Sequence, residues 1–557
     1  MKRFFIAVAL TSVISIHTKA QQSVNDSTYI IANVKKHIVY LASDELMGRE
    51  TGTDGEEKAR NYIIENYKSI GLTPVFENNF LQSFPFTKGR TFGKNNELTI
   101  NKERFEFGKD FTSFLFGFDT SGTGTIVNAG FGIDADSLGL NDYKNIDAKG
   151  KILLMDLMSP DGNNPHGKFG EHANLEKKVE TAMSKGAVGI IFYTEANEKD
   201  ILPVDLNIRR GKQLIPVVMI KGKNLKALKK FVGKEATIRV DLPKIEAIGN
   251  NVVGFLNNNA QTTIVISAHY DHLGLGEHGS LHRGSTEIHN GADDNASGTA
   301  ALMELARLLK QSEYKANNYL FCAFSGEEMG LLGSKYFVEH ATPPLAQINY
   351  NLNMDMVGRL KPEEPVLIIN GVGTSPNWLP ALNNITHLKV KTTESGVAPS
   401  DNTSFYLNGV PAIHFFSGTH SDYHKPSDDE DKINYSGEYA IIKYIYKTVG
   451  ELNDDGKLPF VKTNDATNEN TPRFKVTLGV VPDYAFEGEG MRIDGVTDGK
   501  PASKAGLVKG DIVIQLGEEK ISDMQTYMKA LSKFSKGQTT IVKAKRGEAI
   551  VENNITF

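Results

Sequence analysis

A chain of 557 residues with 40% hydrophobic content can fill real cores and has room for about three or four domains of roughly 150 residues each. Its net charge of −5, with Lys and Arg scattered along the chain, leaves no basic footprint for a nucleic-acid backbone. The single cysteine, Cys322, excludes an internal disulfide framework and a thiolate zinc cluster.

Taken in chain order, "MKRFFIAVALTSVISIHTKAQQ" places Lys2 and Arg3 before an apolar run, followed by Thr18-Lys19-Ala20 as a small-residue cleavage site. This predicts a signal peptide over residues 1–20 and a mature chain that starts near Gln21. No later segment reaches about 18 uninterrupted apolar residues, so the expectation is a secreted or periplasmic protein with no membrane anchor. "TDGEEKARNYIIENYKSIG" carries Ala59, Tyr62, Ile63, Tyr67 and Ile70 on one helical stripe, with Asp54 and Glu57 fitting a capping box and Gly71 a stop. Residues 111–246 change texture to short strands ("KGKILLMDL", "VGIIFYT", "IPVVMI") around a helix at "LEKKVETAMSKG", which reads as an inserted module without metal-ligand clusters.

From about 247 to 452, apolar strands ("TTIVISA", "YLFCAFS", "YNLNMDM", "PAIHFFS") alternate with helices such as "SGTAALMELARLLKQ", where Leu302, Leu305, Ala306 and Leu309 share a face. That alternation indicates an α/β fold: a mostly parallel or mixed sheet covered by helices on both faces. Residues 30–110 are expected to complete this domain. Residues 453–470 read as a polar linker, and residues 471–557, with "MRIDGV", "PASKAGLVKGDIVIQLG" and "TTIVKAKRG", as a small β-rich domain.

The chemistry concentrates at strand ends. His269 and Asp271 follow "TTIVISA", Glu327 and Glu328 follow "YLFCAFS", Asp355 closes "YNLNMD", and His424 lies seven residues past "PAIHFFS". Asp293 and Asp294, in "NGADDNASG", precede the helix after the first of these strands. Parallel strands bring all of them to one sheet edge, where open α/β folds place their sites. So many carboxylates cannot share a pocket as bare charges, because each raises the others' pKa. Metal ions resolve the conflict, and a His and Asp/Glu set without Cys suits catalytic zinc, with one carboxylate shared between two ions.

These motifs ("SAHYDHLG", "NGADDNASG", "FSGEEMGLLGS", "NMDMVG", "SDYHKPSDD") resemble the zinc-dependent exopeptidases that include secreted bacterial two-zinc aminopeptidases, with glutamate carboxypeptidase, glutaminyl cyclase and the non-catalytic transferrin receptor as more distant relatives. The inserted module resembles a protease-associated (PA) domain and the C-terminal part a PDZ domain. The resemblance implies two zinc ions per chain, with Asp294 bridging them, His269 and Asp355 completing one site and Glu328 and His424 the other. It implies Glu327 as general base, Asp271 as the acid that orients His269, and Tyr423 as a hydrogen bond to the developing oxyanion. The implied reaction removes N-terminal residues from peptides with a free N-terminus by means of a zinc-bridged hydroxide. The competing activities on this scaffold are those of a carboxypeptidase, a glutaminyl cyclase or a non-catalytic binding protein. The PDZ-like domain is expected to take a peptide or C-terminal tail near Leu478-Gly479-Val480.

Asn402 departs from the resemblance, standing where many relatives carry His. His272, His278, His282 and His289, between the first two motifs, read as surface or rim histidines, and His414 as a packed strand residue.

Overall fold

The computed structural model describes residues 26–463 and 476–557, apart from 77, 116–118, 162–167, 170–171, 173–174, 195–214, 221–228, 283–285, 483–488, 497–499, 523–525, 528–529, 532, 536 and 548. The expected signal peptide and the far part of the linker lie outside the described residues. The chain divides into two units, Met1–Phe86 with Ile248–Phe557, and Thr87–Ala247.

The first unit is built on nine strands: β1 (Thr73–Pro74), β2 (Leu81–Arg90), β3 (Lys244–Leu256), β4 (Thr263–His269), β5 (Asn318–Phe324), β6 (Ile348–Met354), β7 (Val366–Asn370), β8 (Lys389–Thr393) and β9 (Ala412–Phe416). Their order is β1-β3-β5-β4-β6-β9-β7-β8, with β2 beside β3. The central strands β5, β4, β6 and β9 are mutually parallel, and β3 and β7 pair antiparallel to β5 and β9. Every residue of β4, β5 and β6 is buried, the signature of a sheet covered on both faces.

The two-residue period sorts these side chains between two cores. Ile264, Ile266, Ala268, Phe321 and Ala323 pack with helices α1 (Ser27–Leu41), α2 (Asp54–Ile70) and α3 (Gly298–Gln311). Val265, Leu320, Cys322 and Phe324 pack on the other face with Phe337 of α4 (Leu332–Glu339) and Phe405 of α5 (Asn402–Leu407). Each fully buried Leu, Ile or Phe contributes about 1.5–3 kcal/mol, so the strand ends are anchored by apolar burial and the charged loops beyond them need not stabilise the sheet.

The second unit forms an eight-stranded sheet that contains the expected strands Lys151–Asp156, Gly189–Tyr193 and Val217–Ile220. Residues 87–110 differ from the sequence reading, which assigned them to the peptidase part. Strands Glu97–Ile100 and Glu103–Phe105 extend this second sheet, because Leu98 and Ile100 point into the same core as Ile238. The C-terminal region folds into a six-stranded sheet with its own core around Leu478, Ile493, Val513 and Val542.

Helix α2 ends as expected, at Gly71 in the left-handed conformation, but its N-cap is Thr53 and not Asp54. The carboxylate that reaches back is Glu56, which accepts from Gly52 N at 2.7 Å and from Ser325 Oγ. Burial pushes Glu56 up to about 7 from its ordinary 4.5. A folded-state pKa above the unfolded value favours folding below pH 4.5, and this contribution is lost as pH rises through 7. Glu56→Gln should therefore flatten the stability profile. Urea unfolding should show the variant gaining on the wild type between pH 5 and pH 8, by at most about 3 kcal/mol. Parallel profiles would show that Glu56 does not titrate in this range.

Candidate metal centre

Three adjacent parallel strands end in ligand-type residues. His269 is the last residue of β4, Asp355 follows β6 directly, and Glu327 and Glu328 lie three and four residues past the end of β5. Asp294 comes from the turn Ala292–Ser297 that leads into α3, and His424 from the loop after β9. The geometry divides around Asp294. Its Oδ1 lies 3.4 Å from His269 Nε2, which is also 3.4 Å from Asp355 Oδ1. Its Oδ2 lies 3.2 Å from His424 Nε2, which is 3.3 Å from Glu328 Oε2.

These separations test the site for a metal. Two donors about 2.0–2.1 Å from a tetrahedral zinc lie about 3.3–3.4 Å apart, longer than the usual 2.7–3.2 Å of N–H···O hydrogen bonds. His269 Nε2 and Asp355 Oδ1 are buried and have no hydrogen-bond partner among the described residues. Nature rarely leaves such atoms unsatisfied. Donor type, spacing and orphaned atoms all fit divalent ions on either side of Asp294.

The surrounding electrostatics are divided just as sharply. Burial alone would raise Asp294, but the imidazoles of His269 and His424 beside it hold it well below the usual carboxylate range. Burial likewise opposes ionisation of Glu328, yet His424 and His272 bring it down to about 2. Glu327 is pushed well above the usual range by burial, with Asp355 and Glu328 adding to the effect and His269 opposing it. Its Oε2 is 4.0 Å from His269 Nε2. Burial disfavours the charged imidazole of His424, but Glu328 and Asp294 raise it to about 11, a measure of how strongly the cradle calls for positive charge.

A second layer of contacts sets the ligands in place. His269 Nδ1 lies 3.2 Å from the backbone carbonyl of Asp271 and 3.7 Å from its carboxylate, so the carbonyl is the nearer partner. The Asp271 carboxylate instead accepts from Glu327 N at 3.2 Å and Thr51 Oγ1 at 3.0 Å, tying the loop that bears Glu327 to the N-terminal segment. Asp428 Oδ2 accepts from both Asp293 N and Asp294 N at 3.0 Å. Asp293 itself accepts from Gly358 N at 2.7 Å and pairs with His420 Nε2 at 3.1 Å. Tyr423 stacks on His424 with ring centres 3.9 Å apart.

All the expected ligand-type residues thus converge. Two rim assignments do not hold: His272 and His289 are 1% exposed. His289 is held inside by Ser280 Oγ at 2.7 Å and the Glu287 carbonyl, and His272 Nδ1 meets Glu328 Oε1 at 2.8 Å. His278 is exposed and His282 half-buried. His414 is packed within β9, and Asn402 is buried with its amide donating to Gly396 O at 3.2 Å.

Sequence reasoning missed Arg49. Its buried guanidinium donates to the carbonyls of Tyr270 (2.8 Å), Asn290 (2.6 Å), Gly291 (3.0 Å) and Leu41. It therefore clamps the loops on either side of the first two motifs. Burial lowers it to about 10, with Asp271, Asp294 and Asp428 opposing, so it remains a cation at neutral pH. The available signal was "MGRETG": Gly48, at φ +72, comes so near the loop that a Cβ would lie 2.4 Å from Gly274 O.

An open α/β sheet whose strand ends form two imidazole–carboxylate compartments about a shared aspartate defines a candidate centre for divalent cations. Residues 251–449 match the model of Peptidase family M28, residues 122–228 that of the PA domain, and residues 462–556 that of the PDZ domain. Each of these three segments is thus similar to the family whose model it matches.

Among curated proteins it is 30% identical over 331 residues to Aminopeptidase YwaD of Bacillus subtilis, covering 56% of this chain and 63% of that protein. It is 25% identical over 322 residues to an aminopeptidase of Pseudomonas aeruginosa, covering 56% and 54%. The chain thus spans less than two thirds of the length of either relative. The crystal structure of a zinc aminopeptidase from Bacillus subtilis aligns with a TM-score of 0.46 at 24% identity, over 77% of this chain and 95% of that one.

Replacing Arg49 by Met strands four carbonyls and removes a buried cation that acts on Asp271, Asp294 and Asp428. Urea unfolding of the metal-free protein should show a loss of about 3–5 kcal/mol, with Arg49→Lys recovering part of it. A loss below about 1 kcal/mol would show that the carbonyls find other donors.

Proposed function

We propose that this chain is an exported zinc-dependent aminopeptidase that binds two zinc ions. One observation carries the reading: the two oxygens of Asp294 each face a different imidazole paired with a different acid, His269 with Asp355 and His424 with Glu328. The names of the curated relatives support the activity, and the N-terminal "MKRFFIAVAL" supports export.

Zinc held in these compartments would polarise the scissile carbonyl and acidify a water. The chain's own groups do the rest. Glu327, beside the cradle and held at high proton affinity by burial, accepts a proton from the attacking water and returns it to the leaving amine. Asp271 holds the Glu327 backbone through its amide and so aims the base. Tyr423, among the same carboxylates, donates its hydroxyl to the developing oxyanion. The acids that remain around the centre receive the substrate's α-ammonium group, which restricts cleavage to a free N-terminus.

In the C-terminal domain, Val480–Pro482 is an edge strand. An extended peptide adds to it by strand pairing, next to the left-handed Gly479.

Zinc analysis should return two ions per chain, with hydrolysis of aminoacyl chromogenic substrates lost on chelation and absent for N-blocked analogues. Cleavage of blocked substrates would overturn the aminopeptidase assignment. Glu327→Gln should retain both zincs and lose about 10²–10⁴-fold in kcat; normal turnover in that variant would remove the base role. Truncation before Thr471 should spare short peptides and slow the turnover of longer tails, and an unchanged profile would count against peptide capture.

A further inference from the structure

The two compartments use His269 and His424 and leave a third buried imidazole unexplained. His272 reaches Glu328 Oε1 with its Nδ1 at 2.8 Å and stays 3.9 Å from Asp294 Oδ1. The first distance is a charge-assisted hydrogen bond. It is shorter than the 3.2–3.4 Å separations of His269 and His424 from their carboxylates, which match the edge of a shared metal tetrahedron. His272 Nε2 is buried with no partner among the described residues, so Nδ1 makes the ring's one directed contact there.

The ring's position is built in. Its backbone N–H donates to Arg49 O at 3.2 Å. Its edge lies against Gly291, at φ +55, where a Cβ would come within 2.5 Å of His272 Cδ2.

We propose that His272 is a positioning residue: its Nδ1–H holds Glu328 Oε1 and leaves Oε2 alone to face His424 in the second compartment. The inference rests on the metal-centre reading above. It assigns the oxygens of Glu328 separate tasks, one turned toward the protein and one toward the ion. A carboxylate so held is kept from closing over the ion with both oxygens, and catalytic sites keep such a position open for substrate. The arrangement parallels the support of ligands by outer hydrogen bonds, whose loss typically costs 10–100-fold in metal affinity.

The test is a stepwise zinc titration of metal-free, full-length protein by competition with a chromogenic chelator, paired with visible spectra of the cobalt-loaded forms. Wild type should show two binding steps. Fewer than two would overturn the metal-centre reading itself, and this inference with it. His272→Asn places an amide N–H where the ring Nδ1–H stood, and should keep both constants within about threefold and the cobalt spectrum unchanged. His272→Asp has the same shape but presents an acceptor to an acceptor, and should weaken one step by about 10–100-fold while sparing the other. A packing role would treat Asn and Asp alike, so equal constants for the two would overturn the proposal. Loss of a cobalt absorption feature in the Asn variant would make His272 a ligand and overturn it too.

Discussion

The structure turns on how many carboxylates can be buried at one edge of a sheet. Asp271, Asp293, Asp294, Asp401, Asp428 and Glu438 are all nearly inaccessible to solvent, with Glu327 and Glu328 beside them. Left bare, such a group costs several kcal/mol per charge. The loops are shaped to meet that cost without closing the site. Backbone amides of Asp293, Asp294 and Gly358 are turned onto Asp428 and Asp293, and Arg49 contributes one fixed cation. Glu438, whose oxygens have no partner among the described residues, is held neutral by burial instead. What this economy does not cover is the inner set, Asp294, Asp355 and Glu328. Their remaining lone pairs converge with two imidazole nitrogens on spaces suited to divalent cations.

Placing neighbouring acids in different surroundings separates their chemistry. Glu327 and Glu328 are adjacent in sequence, yet burial, with Asp355 and Glu328 adding to it, raises the proton affinity of the first well above the ordinary carboxylate range, while two imidazoles keep the second ionised down to about 2. Pairs of titratable groups driven apart in this way divide acid–base work from ligand work. The backbone makes the division: the Glu327 amide is fixed on Asp271, so the two side chains leave the turn toward different partners.

Most of the fold was legible because strand and helix periods differ, and the runs over β4, β5 and β6 are apolar throughout. The convergence of the ligand-type residues was legible for the same reason: strand ends are fixed points, and parallel strands align them. Residues 87–110 were misplaced because two short edge strands, Glu97–Ile100 and Glu103–Phe105, carry too little periodicity to say which sheet they join. His272 and Arg49 were missed for a different reason. Their partners are backbone carbonyls and a single carboxylate oxygen, reached from a left-handed turn at Met47, Gly48 and Arg49 and from a loop folded back upon it. Such contacts leave no pattern along a chain.

The unit that carries the candidate centre therefore extends beyond residues 251–449, which match the model of Peptidase family M28. Thr51 supplies a bond to Asp271, Glu56 accepts one from Ser325 just ahead of the Glu327–Glu328 turn, and Arg49 holds carbonyls on the loops that bear Asp271 and Asp294. These residues belong to a segment some 200 positions earlier in the chain. Loop-closure entropy grows slowly with the length of the intervening chain, so inserting the second unit between the clamp and the ligands costs little. A centre of buried acids needs rigid support on every side. Here part of that support comes from the start of the domain, and the long insertion is tolerated because its ends return to adjacent strands of one sheet, β2 and β3.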